Sequence, residues 1–271
     1  MVSVPERPPG AADRRRRVPS LETLLRWLSP AVLLIAWEFA VVHGLLDHHF
    51  FPSPSAMMAI AWQDILSGDM ARNSLGSLER LAGGLLIGTV SGIALGLAMA
   101  IWRPVHAVLN GPVQVVRAIP PIAWIGFAIL WFGLGTKPAV FLIALGVVFP
   151  VLLNTYAGVR QTDLIYMRAA AMLGARGPML FKDVIFAAAL PNILTGLRIS
   201  VGIAWVLVVV GELVGAPNGL GAALMRAQDY QQTDRMLAYM LAIGLYGYLS
   251  DALVVRLSRY LLRWQRGMDD K

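Results

Sequence analysis

Six predominantly apolar stretches, each near twenty residues long, constrain this 271-residue chain more than any other feature. They fall at about 27–46, 80–102, 115–133, 138–158, 190–211 and 236–257. The hydrocarbon core of a bilayer is about 30 Å thick and takes about 20 residues of helix to cross, so each run predicts one membrane-spanning helix. A soluble domain would show shorter runs, of strand or core-helix length. Charged residues make up 14% of the chain, against roughly 25% in soluble domains. The expected fold class is therefore all-α: a polytopic membrane protein of about six transmembrane helices.

The first twenty residues, MVSVPERPPGAADRRRRVPS, offer too little apolar surface to order themselves and read as a disordered basic tail. Residues 21–271 read as a single transmembrane domain. The first apolar run is too long for a signal-peptide core and lacks a small-residue cleavage site, so it is expected to remain as a span. Between the first two runs, Pro52 and Pro54 precede an amphipathic stretch that is too short and too polar to cross and should lie at the surface. The net charge is +7, but the basic residues sit in segments between the runs rather than in one patch, which argues against nucleic acid. With the N-terminus inside, sixteen Arg and Lys fall on the inner side, Arg103, Arg160 and Lys182 among them. Five, Arg72, Arg80, Lys137, Arg226 and Arg235, fall outside. That asymmetry puts both termini in the cytoplasm. The absence of cysteine excludes disulfides and thiolate metal sites.

Within the second run Gly84, Gly88, Gly92 and Gly96 recur every four residues and form one smooth helix face, for static packing or for sliding. Pro120 with Pro121, and Pro150, should kink or break the third and fourth spans. Four charges lie inside runs, where ionisable groups are costly and often functional. Arg198 and Asp251 sit at similar depth and can pair within the bundle. Arg117, beside the proline break, can attract an anionic solute, contact a lipid headgroup, or pair with Glu38. With Pro120, Pro121, Trp124, Asn154, Trp205 and Glu212 it makes up the candidate translocation path. No catalytic constellation or metal-ligand spacing emerges, and no G-x-x-x-x-G-K-[ST] motif is present to bind nucleotide.

The fourth and fifth runs are joined by RQTDLIYMRAAAMLGARGPMLFKDVIFAAALP. Asp163 can cap a helix over Leu164 to Leu173, Gly174 suits the left-handed position that ends it, and Pro178 suits the first turn of another. Helix, turn and helix should stand outside the membrane, exposing Leu164, Ile165, Met172 and Leu173 to a partner protein.

Ala169, Ala170 and Gly174 match the Ala-Ala-x-x-x-Gly heart of the EAA loop, and the chain resembles the permease subunits of ABC importers. FPSPSAM, RAIPPIAWIGFAILWFGLGTK, FLIALGVVFPVLLNTYAGVR and ALPNILTGLRISVGIAW extend the resemblance to the branch that imports alkanesulfonates, taurine and nitrate. Two positions depart from the pattern: Arg168 stands where the family carries glutamate, and Phe186-Ala187 where it carries Leu-Pro. The resemblance implies that the loop at about 160–189 is a coupling segment that docks in an ATP-binding subunit. Its contacts would come from Leu164, Met167, Arg168, Ala169, Ala170, Met172, Leu173, Gly174, Ala175 and Arg176. It further implies a homodimer in the bacterial inner membrane, surrounded by lipid. Two partner subunits would bind ATP and Mg, and an extracytoplasmic solute-binding protein would deliver the substrate. The chain itself would be a transport subunit rather than an enzyme. The implied substrate is an alkanesulfonate first, with taurine, nitrate or another small anion next. An ion-driven secondary transporter, the competing class, would typically show inverted internal repeats, which the two halves lack.

Overall fold

The computed structural model describes residues 21–264, which hold helices and turns and no strand. The expected basic tail at 1–20 lies outside the described residues. Contacts divide the chain into two units, Met1–Ser55 and Ala56–Lys271.

The first unit carries α1 (Leu21–Val42), which takes up most of the run expected at 27–46. The chain turns immediately after it through Gly44 at φ +71°, and the amides of Leu45 and Leu46 both return to the Ala40 carbonyl. Glu38, a charge expected inside a span, accepts from the Ser55 amide at 3.0 Å and its hydroxyl at 2.7 Å, so its carboxylate is satisfied within this unit.

α2 (Pro54–Leu66) begins at the boundary, and the second unit is built on longer helices. α3 (Asp69–Ile101), α6 (Thr136–Arg160), the stretch Pro178–Glu212 and α11 (Thr233–Leu261) are each long and apolar enough to cross a membrane. The third expected span is broken: α4 (Arg103–Ala118) meets a 3-10 turn (Pro121–Trp124) and α5 (Ile125–Phe132) at 90°. Pro120 and Pro121 supply no amide hydrogen, and the residue before a proline is pushed out of the helical region. Ile119 accordingly sits extended at ψ 119°. Pro150 does not act this way: α6 runs through it unbroken, and Asn154 Nδ2 donates to the Pro150 carbonyl at 2.8 Å.

α6 lies between α3 and α9 (Ala187–Glu212), its two most extensive partners. The glycine stripe of α3 faces it: Gly84, Gly88, Gly92 and Gly96 approach Ile143, Val147, Val151 and Thr155 in turn. The numbering offset is 59 at all four positions, so α3 and α6 run parallel and in register. A Cβ on Gly88 would lie 2.7 Å from the Ala144 carbonyl oxygen, and one on Gly92 would lie 2.8 Å from that of Val148. Lipid gives helices no hydrophobic reason to associate, so this backbone approach supplies dispersion contact that side chains would prevent. On the other side α9 runs antiparallel, Gly211 against Ala139 and Gly196 against Pro150 and Asn154.

The offset puts Thr136, where α6 begins, level with Ser77 of α3. A chain leaving α3 at Ile101 must therefore climb back about 36 Å, the rise of the 24 intervening helical residues, before α6 can start. The bent pair α4 and α5 is what makes that return. α11 is antiparallel to α9, with Arg198 opposite Asp251 and Trp205 opposite Ser250.

Candidate functional site

Between α6 and α9 the chain leaves the bundle as a short helix, α7 (Leu164–Met172). Asp163 starts it, its carboxylate accepting from the Ile165 amide at 2.9 Å, which satisfies one of the four amides a helix N-terminus leaves open. Gly174 ends it at φ +91°, a conformation that costs glycine nothing. α7 packs chiefly on the segment that follows. That segment is not a second free-standing helix. α8 (Pro178–Leu180) passes through a π turn at Phe181–Phe186 directly into α9, because nothing between Pro178 and Ala187 interrupts the helical backbone.

The surface of α7 is apolar where a soluble helix would be polar. Met172 is 83% and Leu173 89% exposed, and Leu164, Ile165 and Met179 join them. Met167, Ala170 and Ala175 are half-buried, while Arg168, Ala169, Gly174 and Arg176 are exposed. Arg168 has no ion pair or side-chain hydrogen bond among the described residues. α7 is thus a capped helix with exposed apolar residues at its ends and small residues at Ala169 to Ala171.

The candidate path residues fall in different places. Arg117 ends α4 exposed, without an ion pair among the described residues, one turn before Pro120 and Pro121. Trp124 follows in the 3-10 turn, half-buried, its Nε1 without a partner among the described residues. Trp205 packs in the core, its Nε1 donating to Ser250 Oγ at 3.2 Å and its ring stacked on Tyr246, with one edge on a groove between α9 and α11. Asn154 is fixed at the α6–α9 contact by its bond to Pro150.

Glu212 faces the interior of the chain. Its carboxylate accepts from Arg80 Nη1 at 2.8 Å, Ser77 Oγ at 2.7 Å and the Gly221 amide at 2.8 Å, and both side chains of the ion pair are buried. Arg80 Nη2 reaches Asn218 at 2.7 Å, and Ser77 accepts from the Leu220 amide at 2.8 Å. The cluster caps the start of α10 (Leu220–Asp229) and ties it to α3 and α9. Gly219 at φ +131° is required there, since a Cβ would strike the Glu212 carboxylate. Arg80 reads from sequence as a loop charge, yet Asn73, Ser77 and Arg80 share one face of α3, a polar stripe at helical spacing that could have revealed the cluster.

Comparison with known proteins agrees with this architecture. The family model described as the inner membrane component of binding-protein-dependent transport systems matches residues 88–267. A Bacillus subtilis (strain 168) permease named for aliphatic sulfonate transport is 34% identical over 242 residues, covering 89% of this chain and 88% of its own. The taurine transport system permease of Escherichia coli K12 is 32% identical over 239 residues, covering 86% and 87% respectively. Among solved structures, a chain of the inward-facing MetNI methionine ABC transporter superposes with a TM-score of 0.61 at 19% identity, over 73% of this chain and 98% of that one. With a matched family model over most of its length and relatives above 30% identity along it, this chain belongs to the ABC importer permeases, the inner membrane components of binding-protein-dependent transport systems.

Proposed function

We propose that this permease imports a small organic anion, an alkanesulfonate first, as a homodimer driven by two ATP-binding subunits that dock on α7. The observation that carries the reading is the capped helix α7 with its exposed Leu164, Ile165, Met172 and Leu173. The chain has no nucleotide-binding motif of its own, so ATP and Mg belong to the partner. One coupling segment per chain and a paired ATPase call for two copies. α7 lies in the cytoplasm with both termini, and a solute-binding protein docks at the opposite face. The names of the Bacillus and Escherichia relatives support a sulfonate over other anions.

Arg117 and the Pro120–Pro121 break are the proposed path elements, since an exposed guanidinium beside a broken helix can meet an anion without backbone strain. The test is reconstitution of the permease with its ATP-binding subunit and binding protein in proteoliposomes. Sulfonate uptake requiring ATP supports the reading. Uptake driven by an ion gradient alone sinks it. Arg117→Ala should lower uptake while leaving expression and assembly as they are, and unchanged uptake kinetics would remove Arg117 from the path.

A further inference from the structure

Arg198 and Asp251 form a bidentate pair, Nε to Oδ1 at 2.8 Å and Nη2 to Oδ2 at 3.0 Å. In the single chain their side chains nonetheless remain 58% and 42% exposed. No other charge occurs from Val184 to Gly211, so Arg198 stands alone in an apolar helix. Hydrocarbon cannot solvate a guanidinium, and charges at such depth face a bundle interior or a water-filled cavity. This face of α9 and α11 is therefore not a lipid face.

The pair opens on a groove of about 620 Å³ between the two helices. Val206 and Val209 wall one side, Ile243 and Tyr248 the other. Gly202, Gly244 and Gly247 keep it open, and a Cβ on Gly202 or Gly244 would meet nothing within 4 Å. Nη1 of Arg198 has no partner among the described residues, so one edge of the guanidinium is available beside an apolar trough.

We propose that Arg198 is an anion contact on the translocation path. The groove holds a small organic anion with its charged oxygens on the Arg198 guanidinium and its alkyl part on the apolar walls. Asp251 is the resident counter-charge: it holds the guanidinium in place when the groove is empty and competes with the solute when it is full. That competition keeps binding loose enough for release, as transport requires. The assignment rests on the reading of this chain as an anion-importing permease.

Equilibrium binding of a radiolabelled alkanesulfonate to the complex without binding protein, together with uptake in proteoliposomes, tests it. The double variant Arg198→Gln/Asp251→Asn removes both charges at once, which spares the fold the stranded charge that either change alone creates. It should assemble with the ATP-binding subunit yet bind the sulfonate at least about tenfold more weakly, the change expected for one lost hydrogen bond to a charged group. Asp251→Asn alone should bind it more tightly than the parent. Gly202→Leu should block binding while leaving the dimer whole. Equal binding and uptake by the parent and the double variant would reduce the pair to a strut and overturn the assignment. So would dissociation of the dimer by Gly202→Leu, since the groove would then belong to the second copy. A parent complex that carries no organic anion would instead bring down the functional reading, and this assignment with it.

Discussion

The interior of this protein is held by a few residues whose partners lie far away in sequence. Glu212 and Arg80 are 132 positions apart, fully enclosed, and bonded at 2.8 Å. Removing one member of such a pair strands the other, which typically costs about 3–5 kcal/mol, whereas replacing both can be nearly neutral. Arg80→Met should therefore sharply lower the thermal unfolding temperature of the detergent-solubilised chain, and Arg80→Met/Glu212→Met should recover much of the loss. Equal unfolding of the parent and the single variant would deny the pair its structural role. The glycine stripe makes a second residue-scale case. A side chain at Gly88 meets the Ala144 carbonyl at 2.7 Å and Val147 Cβ at 2.6 Å, neither of which can swing aside. At Gly83, one position off the face pattern, the nearest atom is 3.6 Å away. Gly88→Val should destabilise the chain by about 1–3 kcal/mol through overpacking, while Gly83→Ala, which has room for the methyl group and gains helix propensity, should leave the thermal melt no lower than that of the parent.

At the scale of elements, α7 can be separated experimentally from the fold that carries it. Met172 and Leu173 are so exposed that they add little to the stability of the single chain. Replacing both with Asp should abolish copurification of the ATP-binding subunit without shifting the thermal melt, and retained copurification would move the docking surface elsewhere. The limits of α7 were legible in sequence because they are local: Asp163 caps its own helix, and Gly174 supplies its own left-handed turn. The break at Pro120 was legible for the same reason. What depended on tertiary partners was not. Pro150 sits inside an unbroken α6, which packs between α3 and α9. The helix at Pro178 runs on into α9 rather than standing apart, since no capping residue or glycine stops it. Arg80 counted as a loop charge because its acceptor lies on α9, beyond five intervening α-helices. Arg198 and Asp251, by contrast, were paired from depth alone, and they do pair.

The whole second unit obeys a parity that fixes which ends share a face. The offset of 59 makes Ile101 of α3 level with Arg160 of α6, so Arg103 and α7 lie at the same end. α9 starts from that end, and α11, antiparallel to α9, returns to it with Arg256, Arg259 and Arg263. α10 and the buried Arg80–Glu212 cluster occupy the opposite end. The basic residues thus gather at the α7 end, and the positive-inside rule predicts that this end faces the cytoplasm. The chain contains no cysteine, so a single introduced thiol reports its own side of the membrane without background. Met172→Cys and Tyr230→Cys both fall on exposed side chains, 83% and 74% accessible, at opposite ends of the unit. A membrane-impermeant maleimide added to intact spheroplasts should label the Tyr230 variant and reach the Met172 variant only after lysis. Labelling of Met172→Cys in intact spheroplasts would turn the molecule over, putting α7 out of reach of any cytoplasmic ATPase and ending the coupling role proposed for it.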